Sequence, residues 1–100
     1  MNSAIDRAIE AGIPVVLFDS DAPGSQRLAF VGTNNYSAGC EAGRAVASWH
    51  GDAAVVGVST FPGPDHLARR VQGFQDCLAA AAPGARVAQI VNDEGRVDRA

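Results

Sequence analysis

Residues 13–25 are Ile13-Pro14-Val15-Val16-Leu17-Phe18-Asp19-Ser20-Asp21-Ala22-Pro23-Gly24-Ser25, a solid apolar run followed at once by turn-forming residues. An unbroken apolar run rich in β-branched residues is typical of a parallel strand covered on both faces. Because Pro14 has no backbone N–H, it belongs at the start of this strand. The turn formers therefore open at the carboxyl end of a strand, where open α/β sheets bind their ligands.

An amphipathic helix precedes this strand. Between Asn2 and Ala11, the residues Ile5, Ala8 and Ile9 share one side of a helix. Gly12 follows at the position where a helix commonly ends in a left-handed residue. The segment predicts a helix with a glycine at its carboxyl end.

Strand and helix patterns alternate over the rest of the chain. The predicted elements are strands at Leu28–Val31, Ala53–Val58 and Val87–Val91, helices at Tyr36–Trp49 and from Asp65 as N-cap onward, and a loop at Ser59–Pro64. In total, four strands and three helices are expected. Such alternation indicates βαβ units and hence an α/β fold with parallel sheets. The strand at Ala53–Val58 is apolar throughout and is expected to be central in its sheet.

The helix predicted from Tyr36 onward has two further features. Asn34 or Asn35 is a credible N-cap, since an asparagine oxygen can accept a backbone N–H at the start of a helix. Gly39 and Gly43 lie four residues apart and leave a small face against which another backbone can pack. Each glycine lowers helix propensity by about 1 kcal/mol, so a packing reason is expected.

We expect this chain to be a fragment. A parallel strand inside a sheet requires a partner on each side for its N–H and C=O groups, and no partner for Ile13–Phe18 precedes it in the sequence. The first helix likewise has no strand before it to connect.

Composition excludes several classes of function. The net charge is −3 and the eight cationic residues, all arginines, are scattered, so no basic face for nucleic acid is predicted. The longest apolar run is far shorter than the ~20 residues of a membrane-spanning helix. The first residues lack the basic and apolar regions of a secretory signal. Cys40 and Cys77 show neither metal nor redox spacing and are interpreted as unpaired small hydrophobic residues within helices.

Three polar residues lie where a ligand would bind. Asp19 directly follows the first strand, where its carboxylate can accept hydrogen bonds from two hydroxyls; the alternative is an Asx turn. Asn35 follows the second strand and can donate to and accept from a hydroxyl, or can simply cap a helix. Arg70 falls off the apolar stripe of its helix and is either a ligand-binding group or a solvated arginine. Charged planar groups of this kind suit the vicinal hydroxyls of a sugar.

No catalytic residue, cofactor or metal site is predicted. His50 and His66 have no partner in a nucleophile motif, and both are interpreted as surface residues. Gly32 and Gly57 do not form a phosphate-binding loop.

The chain resembles the type 1 periplasmic binding proteins, the ribose- and galactose-binding-like solute receptors of ABC transporters. The resemblance rests on four segments in order: Ala4–Ala8 with Ala11–Val16, Phe18–Pro23, Val31–Asn35 with Gly39, and Arg70–Phe74. It implies two Rossmann-like lobes that close on a ligand in the cleft, without enzymatic activity. By this resemblance, Asp19, Asn35 and Arg70 contact sugar hydroxyls, the partner is a membrane permease, and the location is the periplasm or cell envelope.

The resemblance also divides the chain. Residues 1–34 are expected to belong to the first lobe and 35–100 to an incomplete second lobe, with a hinge near 33–35. Asn34 replaces an Asp that is frequent in the family, a change expected to alter helix capping more than binding. Ser20 replaces a frequent Arg, so the resemblance does not identify the ligand.

Two alternatives remain at this point. The same fold forms the effector-binding half of lactose-repressor-family regulators. An enzyme with a Rossmann-like domain would need a phosphate loop or catalytic pair, which we do not find in the sequence.

Overall fold

The structure, a computed structural model, describes residues 2–99. Its elements are α1 Asn2–Glu10, β1 Val16–Phe18, β2 Ala29–Val31, α2 Asn35–His50, β3 Val55–Thr60, α3 Asp65–Ala81 and β4 Arg86–Asn92. Short 3-10 turns cover Gly51–Ala53 and Val97–Arg99. The predicted order of four strands and three α-helices is confirmed for these residues. None of the described helices is of a length and hydropathy that would span a bilayer.

The strands form two parallel pairs. β1 pairs with β2 from Val16 opposite Ala29, and β3 pairs with β4 from Val55 opposite Arg86, with one irregularity after Val56. The predicted α/β class with parallel sheets is therefore confirmed. The chain forms two compact units, the first ending at Thr33 and the second beginning at Asn34. The assignment of residues 1–34 and 35–100 to the two lobes of a larger fold stays a prediction.

α1 ends at the predicted glycine. Gly12 adopts a φ of 82°, which a residue without Cβ reaches at little cost. Its N–H donates to the Ile9 carbonyl at 2.9 Å, and the Ile13 N–H donates to the Ala8 carbonyl at 2.9 Å. These bonds satisfy carbonyl groups that the last helical turn leaves without an intrahelical partner.

The loop between β1 and β2 is held by polar contacts within the first unit. Asp21 forms an ion pair with Arg27, with an Nη2 to Oδ2 distance of 2.8 Å. Asp6 of α1 accepts the Gln26 N–H at 2.6 Å, and Ala22 is buried. This loop joins two parallel strands without a helix, so its own contacts maintain its path.

β1 is shorter than predicted. The strand begins at Val16 instead of Ile13, because its partner β2 has three residues and the Ile13 N–H is already used by α1. β1 is also not covered on both faces among residues 2–99, since Phe18 is 81% exposed.

β3 differs from the prediction in three respects. It begins at Val55 instead of Ala53, because Gly51–Ala53 form a short 3-10 turn. Ser59 and Thr60, predicted as loop, extend the strand because they pair with Val91 and Asn92 of β4. The strand is not central among the described residues: it pairs with β4 alone, and Val55 is exposed.

α2 and α3 pack backbone against backbone at their glycines. A Cβ at Gly39 would overlap the Arg70 carbonyl oxygen, and a Cβ at Gly43 would lie 2.5 Å from the Phe74 carbonyl oxygen. A Cβ at Gly73 of α3 would overlap the Tyr36 carbonyl oxygen. The predicted packing role of Gly39 and Gly43 is confirmed, and Gly73 supplies the matching position on the opposite helix.

Cys40 and Cys77 form a disulfide between these two helices. The interpretation of both as unpaired residues is therefore wrong. Their Cα atoms lie 5.0 Å apart, within the range that a disulfide spans. The reason is the close glycine packing, which brings the two helix backbones near enough for their cysteines to meet.

Candidate ligand-binding site

Two neighbouring asparagines at the start of α2 have different roles. Asn34 is the N-cap, and its side chain accepts the Ser37 N–H at 3.1 Å. Asn35 is the first helical residue and is buried, with 8% of its surface exposed. The capping role that the sequence left open between them thus belongs to Asn34, and the Asn35 side chain is directed elsewhere.

The Asn35 side chain contacts Arg70 of α3. Its Oδ1 atom accepts from Arg70 Nε at 3.1 Å and from Nη2 at 2.6 Å. A guanidinium carries five N–H groups, and this contact uses two of them. The other three N–H groups of Arg70 are the two on Nη1 and the second one on Nη2. Two of the three predicted site residues therefore lie together, and Arg70 is not simply a solvated arginine.

The neighbouring Arg69 makes a different kind of contact from Arg70. Arg69 pairs with Asp65 one turn earlier on the same helix, and both side chains are exposed. A pair of this type contributes a few tenths of a kcal/mol. Arg70, by comparison, is bound to a buried amide on a different helix.

Arg70 also lines a cavity of about 710 Å³ in the second unit. The apolar part of its wall comes from α2, β3 and α3 and includes Val46, Val58, Leu67 and Phe74. Ligand cavities in proteins typically have volumes of roughly 300–1,000 Å³, apolar walls and a few polar groups. This cavity has that composition.

Polar residues from the strand ends line the same cavity. Ser59 at the end of β3 donates from Oγ to Asp93 Oδ2 at 2.8 Å, and Asp93 follows β4 directly. We did not single out either residue from the sequence. The signal that identified Asp19, a polar residue at the carboxyl end of a parallel strand, applies equally to Asp93.

Asp19 lies in the first unit and directly follows β1. Its φ is 66°, and its N–H donates to the Val31 carbonyl at 3.0 Å. The next N–H, that of Ser20, donates to the Phe18 carbonyl at 2.8 Å. Left-handed backbone is uncommon outside glycine, and such positions cluster at functional sites.

Next to the contact between Asn35 and Arg70, another side-chain hydrogen bond links α2 and α3. The Tyr36 hydroxyl donates to Asp76 Oδ2 at 2.7 Å. This hydrogen bond raises the pKa of the Tyr36 phenol above its usual value. The start of α2 is therefore fixed to α3 by two polar contacts.

No group of three or more His, Cys, Asp or Glu side chains in residues 2–99 lies in an arrangement able to hold a metal ion.

The family model for the periplasmic binding protein domain matches residues 1–100. The chain belongs to this family. The predicted resemblance is therefore confirmed. A search of curated protein sequences found no match.

Solved structures of periplasmic binding proteins share this fold. A sugar-binding protein of a sugar ABC transporter from Bacillus halodurans is 37% identical, with a TM-score of 0.87, over 98% of this chain and 34% of that one. The arabinose-binding protein AraP from Geobacillus stearothermophilus is 39% identical, with a TM-score of 0.79, over 94% of this chain and 32% of that one. A solute-binding protein from Burkholderia graminis, solved with D-arabinose, is 30% identical, with a TM-score of 0.92, over 98% and 34%.

The chain spans about a third of the length of these periplasmic binding proteins. The structural agreement thus extends over nearly all of this chain, and the remaining two thirds of each relative have no counterpart in it.

Proposed function

We propose that the protein binds a sugar as the solute receptor of an ABC transporter, with Asp19, Asn35 and Arg70 in its binding site. The observation that carries this proposal is the Arg70 guanidinium, bound to buried Asn35 and lining a cavity between α2, α3 and β3. A guanidinium so oriented offers parallel N–H donors, which suit adjacent hydroxyls. Two of the similar structures are named as arabinose-binding or hold D-arabinose, which supports a sugar as ligand.

The disulfide favours a receptor over the effector domain of a repressor. Disulfides persist in oxidising compartments such as the periplasm and are rare in the cytosol, where repressors act. Cys40–Cys77 therefore supports a periplasmic or extracellular location. The proposed partners are a sugar and the membrane permease of the transporter.

Replacing Arg70 by alanine should weaken sugar binding by about 1.5–3 kcal/mol, because a charged hydrogen-bond donor is lost. The measurement is calorimetric titration of the full-length protein with D-arabinose, D-ribose, D-xylose, D-glucose and D-galactose. The sugar that binds most tightly is called the test sugar below.

Arg69→Ala is the matched control for this experiment. It removes an exposed arginine from the preceding position of the same helix and should leave the affinity unchanged. Equal affinities of the Arg70 and Arg69 variants would remove Arg70 from the site. Absence of binding to every sugar would contradict the proposed ligand class.

Asp19→Asn should weaken binding of the test sugar about tenfold, because a charged acceptor forms hydrogen bonds roughly twice as strong as a neutral one. Asparagine tolerates the left-handed backbone as aspartate does, so the φ of 66° should not cause unfolding. Calorimetric titration measures the loss. Glu41→Gln on α2 removes an exposed carboxylate as a charge-matched control. A loss of equal size in both variants would show a general charge effect in place of a contact at Asp19.

A further inference from the structure

The Oδ1 atom of Asn35 is not available as an acceptor for a ligand. The residue is 8% exposed, and its Oδ1 atom already accepts two hydrogen bonds from Arg70. A carbonyl oxygen of an amide has two lone pairs, so both are used. A sugar hydroxyl therefore finds no open acceptor on Oδ1, while Arg70 is exposed and lines the cavity.

We propose that Asn35 is a positioning residue, which acts on the sugar through Arg70 by binding the Nε and Nη2 side of its guanidinium. This inference rests on the proposed function, because it requires Arg70 to contact the sugar. It changes the expected role of Asn35 from a contact to an orienting group.

The geometry defines which part of Arg70 faces the ligand. Asn35 occupies the edge formed by Nε and Nη2. The other edge carries parallel N–H groups on Nη1 and Nη2, a fork that matches two adjacent oxygen atoms. Without Asn35 the long arginine side chain would sample other rotamers, and few of them would present this edge.

The position of Asn35 in the fold supports the assignment. Asn35 is the first residue of α2, and the preceding residue, Asn34, is the one whose side chain caps the helix. The close contact of α2 with α3 at Gly39, whose Cβ would overlap the Arg70 carbonyl, places the arginine backbone beside α2. The side chains of Asn35 and Arg70 are thus brought together by the same helix crossing.

A double-mutant cycle in the full-length protein tests the proposal. Asn35→Ala should weaken binding of the test sugar about tenfold, within the range of couplings seen in one hydrogen-bond network. In the Arg70→Ala background, the same substitution should change the affinity less than about twofold. Asn35→Asp retains an acceptor at this place and is favourable in the first turn of a helix, so binding should stay within about threefold of the unsubstituted protein.

Two further variants keep the test decisive. Tyr36→Phe removes the other polar contact between α2 and α3 and should leave the affinity unchanged, since it does not touch Arg70. If Asn35→Ala does not fold, Asn35→Ser enters the same cycle, because its shorter side chain cannot reach both guanidinium nitrogens.

The outcomes separate this inference from the proposed function. Equal losses from Asn35→Ala with and without Arg70 would mean that Asn35 acts independently, and would overturn the positioning role alone. A loss in Tyr36→Phe equal to that in Asn35→Ala would also overturn it, by showing a general effect of loosened helices. An unchanged affinity in Arg70→Ala would overturn the inference together with the proposed contact of Arg70.

Discussion

The double substitution Cys40→Ser and Cys77→Ser should lower the free energy of unfolding by about 4 kcal/mol, because opening the cross-link restores loop entropy to the unfolded chain. The two residues are separated by 37 positions, between the short and long loops for which about 3 and 4.7 kcal/mol are expected. Urea unfolding of the full-length protein, with and without a reducing agent, measures the loss.

The control for this prediction is the reductant itself. Reduction should lower the stability of the unsubstituted protein to nearly that of the double variant and should leave the double variant unchanged. Two free thiols titrated in the denatured, unreduced protein would contradict the disulfide.

Gly39→Ala should lower the free energy of unfolding by about 3 kcal/mol, the upper part of the range for overpacking. The added Cβ would overlap the Arg70 carbonyl oxygen, which is backbone and cannot rotate away as a side chain does. The helices would therefore have to separate, against a disulfide one residue further on. Thermal and urea unfolding measure the effect.

Gly57→Ala is the matched control. Apart from the residue's own chain neighbours, no atom lies within 4 Å of a Cβ at this position in β3, so the change should alter stability by less than about 1 kcal/mol. A similar loss in the two variants would mean that Gly39 matters for reasons other than the helix crossing.

Much of the fold follows from local patterns. The glycine end of α1 at Gly12 and the small face at Gly39 and Gly43 were predicted, since each depends on residues close in sequence. Strand limits were less accurate, because they depend on partners: β1 loses Ile13 to a bond with α1, and β3 gains Thr60 from β4.

The candidate site was predictable only in part. Position after a strand identified Asp19, and the same rule could have found Asp93. The contact between Asn35 and Arg70 joins residues 35 positions apart and depends on how two helices cross. The pairing of Cys40 with Cys77 depends on the same crossing, which no single helix pattern contains.

The hydrogen bonds between Asn35 and Arg70 also determine at which step the Arg70 side chain loses its conformational entropy. An arginine side chain gives up as much as about 2 kcal/mol of rotamer freedom when it is immobilised. Here the guanidinium is ordered by folding, through a buried partner, before any ligand arrives. In the proposed function, a small uncharged molecule that binds Arg70 avoids most of this ordering cost, so more of the free energy of its few contacts remains as affinity.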